Sequence, residues 1–308
     1  MAHARQPASA GRLRQRTLPE LCREGMLPSM AGRYGIDDLA RGLTGLGLSV
    51  GGHVLMRASL TRVGAVDGNR AQAVIQATLD VIGETGTLAA LAFRPMVPFP
   101  SRRPPTPPGP FSSGGLANAL AAWPGAMLSE HPCCAWVAVG AGASRIIAGH
   151  DSQAACFHPV ATLLDMDGTL VNLGNVLDSP GFSTVHHVQH ELGLSSRNLL
   201  AGHIGLRTEA GIFISRDFPG CSMGFAKLYG AYVTAGILRA GQVGDAYAVA
   251  AKASDLVAVE RPLIAAAPRL PLCDNPNCMH CRGLVTYNKR DWPAFWTKWV
   301  WRRLRRAL

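Results

Sequence analysis

The succession of hydrophobic periodicities between residues 36 and 93 limits this chain to few folds. Residues 36–46 carry apolar side chains at helical spacing, with Asp37 and Asp38 near the start and the flexible Gly47, Gly51 and Gly52 just beyond. HVLMRASL, from His53, reads as a strand, and residues 71–82 return to helical spacing with Ala73, Val74, Ala77 and Val81 on one face. GTLAALAF, ending at Phe93, then reads as a buried strand. Helices that alternate with strands bury a sheet between helical layers, so the expected class is α/β. The expected form is an α/β/α layered fold with a mixed central sheet, followed by a Cys-rich C-terminal appendage.

Three segments divide the 308 residues: a basic arm over 1–34, a catalytic-sized domain over 35–265, and a Cys-rich stretch with a basic, Trp-rich tail over 266–308. A short helix is expected around 17–24. Residues 98–110 hold seven prolines and read as an extended surface loop. Beyond it, residues 114–123 read as a helix, HPCCAWVAVG as a strand, and residues 169–174 as a strand entered through an Asp-Gly turn. Residues 225–240 and 242–259 read as two late helices.

The net charge of +10 sits at the ends. Residues 1–23 hold five Arg against one Glu, residues 289–308 hold seven Lys/Arg against one Asp, and the 265 residues between them are neutral. Such arms favour anionic partners. With 48% hydrophobic residues a large core is available, yet no apolar run reaches the roughly 18–20 residues that span a bilayer. No secretory signal is read at the N-terminus, so a cytoplasmic location with reduced cysteines is expected.

Residues 165–193, DMDGTLVNLGNVLDSPGFSTVHHVQHELG, support two chemistries. DMDGTL resembles the nucleophile motif of the haloacid-dehalogenase superfamily, which implies Asp165 and Asp167 as a Mg²⁺-dependent phosphohydrolase pair. Against it, the run before Asp165 is a short strand candidate and TLVNLG after it is a better one, which makes Asp167–Gly168 a turn.

The alternative rests on a longer series of segments. LARGLTGLGLSVGGHVLMRASLTRVGAV, AVIQATLDVIGETGTLAALAF, GGLANALAAWPGAMLSEHPCCAWVAVGAGA, AGH at 148–150, DGTLVNLGNVLDSPGFSTVHHVQ and FPGCSMGF follow one another over about 220 residues. In that order they resemble the aminoglycoside 3-N-acetyltransferase family, also called antibiotic N-acetyltransferases, as a divergent member. The resemblance implies transfer of an acyl group, acetyl-CoA or another acyl-CoA being co-substrate, to an amine of a small molecule. A neutral imidazole takes the proton that the attacking amine loses. Carried over by position, that base is His186, with His187 beside it as a competitor, and Gln189 stands where the family has a Glu. Ser59 becomes the hydroxyl near the thioester, and Ser129, His131 and Thr184 fall on the cofactor side. Arg57, Ala58, Leu128 and Ala135 replace polar or differently charged family residues. Glu191 or Asp178 are candidates to supply the missing carboxylate. These departures point to an amine acceptor other than an aminoglycoside, in antibiotic biosynthesis or modification. A degenerate member that only binds a partner is the non-enzymatic alternative.

LCDNPNCMHCRG places Cys273, Cys278 and Cys281 at spacings that suit either a structural zinc, with His280, Cys221 or Cys156 as the fourth ligand, or a cluster of free thiols. Asp291-Trp292-Pro293 reads as the start of a helix. Its WPAFWTKWVWRRLRR holds four of the six tryptophans. That composition suits RNA, an acidic carrier protein or a membrane interface, or docking on the body with the arginines in water.

Overall fold

Val54 and Met56 face one hydrophobic core and Leu55 the other, the two-residue alternation that a strand between two helical layers requires. The computed structural model describes residues 32–101, 103–285 and 289–305. Chain order runs α1 (Ile36–Gly45), β1 (His53–Ala58), α2 (Arg70–Ile82), β2 (Thr87–Phe93), β3 (Val97–Pro98), α3 (Gly115–Ala121), β4 (Met127–Leu128) and β5 (Cys134–Gly140). It continues through α4 (Ala143–Ile147), α5 (Pro159–Asp165), β6 (Thr169–Leu173), α6 (Thr184–Glu191), β7 (Ile204–Thr208), β8 (Gly211–Ile214) and α7 (Tyr229–Thr234). The last elements are β9 (Arg239–Val243), β10 (Ala246–Lys252), α8 (Ala253–Ala266), α9 (Met279–Val285) and α10 (Trp292–Arg305).

Seven strands form one sheet in the order β4–β5–β2–β1–β6–β10–β9. β2, β1 and β6 are parallel, and antiparallel pairs flank them on both sides. Leu39 and Leu43 of α1, Val74 and Ile75 of α2, and Leu120 of α3 cover one face. Val160 and Leu163 of α5, Val185 and Val188 of α6, and Leu256 and Ile264 of α8 cover the other. The expected α/β/α sandwich with a mixed sheet is therefore present. α2 starts where Asn69 accepts from the backbone N–H of Ala71 and Gln72, and stops at Gly83, whose φ of 65° suits only glycine well. A small sheet, β3–β7–β8, lies apart from the main one.

One sequence expectation is overturned, and one alternative is set aside. The late helices over 225–240 and 242–259 are instead α7, the hairpin β9–β10, and α8. Val243 pairs with Ala246 across the two-residue turn Gly244-Asp245, and Gly244 has a φ of 60°. Alanine-rich AYAVAAK has helical propensity, but between β6 and β9 its backbone groups find ladder partners on both edges, and that pairing wins. The phosphohydrolase reading also fails. Asp165 closes α5, and Asp167, at φ 49°, makes the turn into β6 while its carboxylate pairs with Lys252 at 2.6 Å. Both aspartates lie before the strand rather than after it, where that chemistry needs its nucleophile.

The N-terminal arm through residue 31, with its expected helix, lies outside the described residues. The tail docks its aromatic side on the body: Phe295 is buried, and Trp296 packs 4.9 Å from the His203 ring. Arg302 donates to the Asn277 carbonyl at 2.6 Å and Arg303 to that of Phe99 at 3.1 Å. Trp292 and Trp301 remain 40% and 51% exposed. Among the described residues no helix is long and apolar enough to cross a membrane.

Candidate active site

A cleft of about 530 Å³ opens at the C-terminal ends of the parallel strands β1 and β2, the end of an α/β sheet where ligands bind. Met56, Arg57 and Ala58 reach it from β1, Phe93 from β2, Asn175 from just beyond β6, and His186 from α6. Among the described residues no Asp or Glu lines it.

His186 is only 7% exposed. Its ring stacks on Phe157, with centroids 4.5 Å apart, and meets Phe225 edge-on at 4.7 Å. Nδ1 lies 3.2 Å from Gln189 Oε1, one helical turn along α6. With Nδ1–H donating there, the lone pair stays on Nε2. Burial lowers the ring's pKa to about 3; Gln189 and the Pro219 carbonyl oppose that shift, and Arg57 adds to it. His186 is thus neutral at pH 7.

Arg57 brings a cation into the cleft, and among the described residues no carboxylate lines it. Nη1 donates to the carbonyl of Gly181 at 3.1 Å, and Nη2 to the Ser179 hydroxyl at 2.5 Å. Asn172 donates to the same Gly181 carbonyl at 2.9 Å. Burial pulls the guanidinium pKa down. Asn175 Oδ1 is buried in the cleft wall without a hydrogen-bond donor.

Of the residues singled out from sequence, His186 lines this cleft and Gln189 supports it from behind. Ser59 sits one residue past β1, its N–H donating to the Leu173 carbonyl, and is not among the lining residues. Ser129 and His131 are buried beside each other in the body. The Ser129 hydroxyl accepts from Trp136 N–H at 2.8 Å and lies 3.0 Å from His150 Nδ1. His131 Nδ1 accepts from the N–H of Cys133 and Cys134, and its ring stacks on His150. Both fix the turn into β5 rather than face the cleft. Thr184 donates to Glu260 at 2.8 Å, as does Tyr232 at 2.7 Å, which ties α6 to α8. His187 points to Glu191 at 3.4 Å, Glu191 to Arg261 at 2.7 Å, and Asp178 to Arg62 at 2.6 Å. Neither acid therefore replaces the missing glutamate, and His187 does not compete for the cleft. Sequence reasoning missed Phe157 and Asn175. Phe225 lay within FPGCSMGF, whose apolar ring gave no chemical signal.

Residues 55–265 match the sequence profile described as aminoglycoside 3-N-acetyltransferase. The chain belongs to this family. It is 32% identical over 171 residues to aminoglycoside N(3)-acetyltransferase VII of Streptomyces paromomycinus, covering 49% of this chain and 58% of that enzyme. It is 27% identical over 253 residues to aminoglycoside N(3)-acetyltransferase VIII of Streptomyces fradiae, covering 71% and 87%. The match to the first of these relatives thus spans less than two thirds of that relative's length. Among solved structures, aminoglycoside acetyltransferase AAC(3)-Xa superposes with a TM-score of 0.60 at 27% identity, over 80% of this chain and 96% of that one. The AAC-IIIb complex with CoASH superposes at 0.61 and 23% identity, over 76% and 97%, a likeness of fold.

Within this member of the family, buried titrating groups set an acid limit on stability. His186 and His150 are both lowered to about 3, chiefly by burial, whereas Glu260 is raised to about 7 by burial. For each histidine the unfolded chain takes up a proton first, so its contribution is complete above pH 6.5 and is lost as pH falls. Glu260 has the opposite sign, since the native state holds its proton more tightly. Combining the three, stability drops by on the order of 1–2 kcal/mol from pH 7.5 to 5, and by roughly 3–4 kcal/mol at pH 4. Urea midpoints across that range test this, and a midpoint that holds steady or rises on acidification contradicts it.

Proposed function

We propose that this protein transfers an acetyl group from acetyl-CoA to an amine of a small molecule, in the making or modification of an antibiotic, with His186 as general base. The observation that carries the reading is the neutral imidazole of His186, stacked on Phe157 and met edge-on by Phe225, in the wall of a cleft of ligand size. As the amine nitrogen attacks the thioester carbonyl, Nε2 accepts its proton and the thiolate of CoA leaves. A role for Ser59 at the thioester rests on family resemblance alone.

The acceptor carries an anionic or neutral group near its amine rather than several positive charges. Arg57 is fixed in the cleft, and among the described residues no carboxylate lines it to receive a polycation. In a CoA-thiol release assay, wild type should turn over amines bearing a carboxylate or phosphate at least ~10-fold faster than polycationic aminoglycosides. Arg57→Gln should remove about tenfold of that preference, as expected for one charge-assisted hydrogen bond. A wild type that prefers the polycations would sink the acceptor assignment. Absence of both thiol release and acetyl-CoA binding would mean a non-catalytic member.

A further inference from the structure

The C-terminal thiols form a second chemical centre. Cys221, Cys273, Cys278 and Cys281 converge so that their four sulfurs all lie within 4.8 Å of one another. Cys281 Sγ stands 3.6 Å from Cys221 Sγ. A disulfide needs about 2.05 Å, so this pair is not one. A tetrahedral zinc with Zn–S bonds of about 2.3 Å sets its sulfurs about 3.8 Å apart, close to what is seen.

The surroundings suit thiolates. Cys273 N–H donates to Cys281 Sγ at 3.4 Å. Two cations are fixed on the same turn: Arg282 on the Cys273 carbonyl at 3.0 Å and Lys227 on that of Leu272 at 2.7 Å. Arg282 offsets part of the double negative charge of a zinc held by four thiolates, whereas Lys227 is itself paired with the Asp274 carboxylate at 2.6 Å. The other sequence candidates for fourth ligand are engaged elsewhere. His280 packs edge-on against Phe218 at 4.9 Å, and Cys156 Sγ lies 3.9 Å from the Ser215 hydroxyl.

We propose that Cys221, Cys273, Cys278 and Cys281 bind one structural Zn²⁺ ion that staples the C-terminal appendage to the wall of the cleft. Four protein ligands leave no open position, so the ion does no chemistry on substrate. Its place gives it a job. Cys221 lies 52 residues before Cys273 in the sequence and lines the cleft, in the same loop as Pro219 and Phe225, the two residues beside His186. Gly224 in that loop packs so closely on the backbone of Pro271 and Leu272 that a Cβ would overlap it. The ion locks this contact from the other side.

The test uses the full chain, purified reduced and without chelator. Elemental analysis should find about one zinc per chain, lost in Cys221→Ser and Cys278→Ser and kept in Cys156→Ser. If those serine variants fail to fold, Co²⁺ titrated into reduced wild type still decides. The visible bands of a tetrahedral site and the charge-transfer intensity of four thiolates support the proposal. Wild type without zinc and without those bands overturns it, and so does full zinc in Cys221→Ser with loss in His280→Ala. The staple is read by amide hydrogen exchange. Metal removal should speed exchange at least ~10-fold in both 219–225 and 273–285. Faster exchange in the second segment alone would overturn the link to the cleft. None of these readouts uses turnover, so they stand or fall apart from the acetyl-transfer reading.

Discussion

His186→Ala lowers kcat/KM for acetyl transfer by ~10²–10⁴-fold, the range a positioned general base supplies, while acetyl-CoA binding changes little. The imidazole contributes a neutral lone pair, oriented by Gln189 and packed against the stacked ring of Phe157 and the edge-on ring of Phe225. A fall below tenfold would remove His186 from the chemistry. The pH profile separates a base from a packing residue. With the ring's pKa lowered to about 3, the acidic limb for free wild-type enzyme lies near that value rather than near 6.5. The same depression makes it a weak base, and Gln189 is the reason it is not corrected, because an amide oxygen accepts from Nδ1–H without a charge to stabilise the imidazolium. Gln189→Glu should therefore move the limb up by roughly 1–3 pH units and raise kcat at pH 7 by about tenfold. A Glu variant with an unmoved limb would break the proposed link between residue 189 and the base.

Gly181→Ala should cost roughly 3 kcal/mol or more and disassemble the cleft. Gly181 has a φ of 92°, where a side chain is strained by about 1–2 kcal/mol, and its new Cβ would overlap the Phe225 Cβ. Phe225 is 1% exposed and cannot swing into solvent. The damage would reach both functional groups at once, since the Gly181 carbonyl accepts from Arg57 and Asn172, and Phe225 supports the His186 ring. Gly202→Ala is the control. Its φ is 76° but nothing lies within 4 Å of the added carbon, so it should lose only the backbone term. Chemical denaturation with turnover measured on the folded fraction tests both, and equal losses in the two variants would show that the Phe225 contact carries no weight.

The central layers were legible because their physics is local. HVLMRA and TLAALAF read as strands, and residues 71–82 carried the apolar stripe of a helix. The turn at Asp167–Gly168 was legible as well, and it argued against the phosphohydrolase before any packing was known. The β9–β10 hairpin was not legible, because alanines that favour a helix in isolation became strand residues only once β6 offered an edge.

Sequence alone determined the alternation of elements in the first half, the place of His186 in the family pattern, the loss of the carboxylate at Gln189 and the three clustered C-terminal cysteines. These are facts of spacing and residue type along one stretch of chain. Tertiary structure decided which groups meet. It sent Ser129, His131 and Thr184 into the body, brought Arg57 and Asn175 into the cleft beside His186, and carried Cys221 to Cys273, Cys278 and Cys281. Each of those encounters joins residues far apart in sequence through sheet pairing and burial, and no local pattern encodes the distance between them.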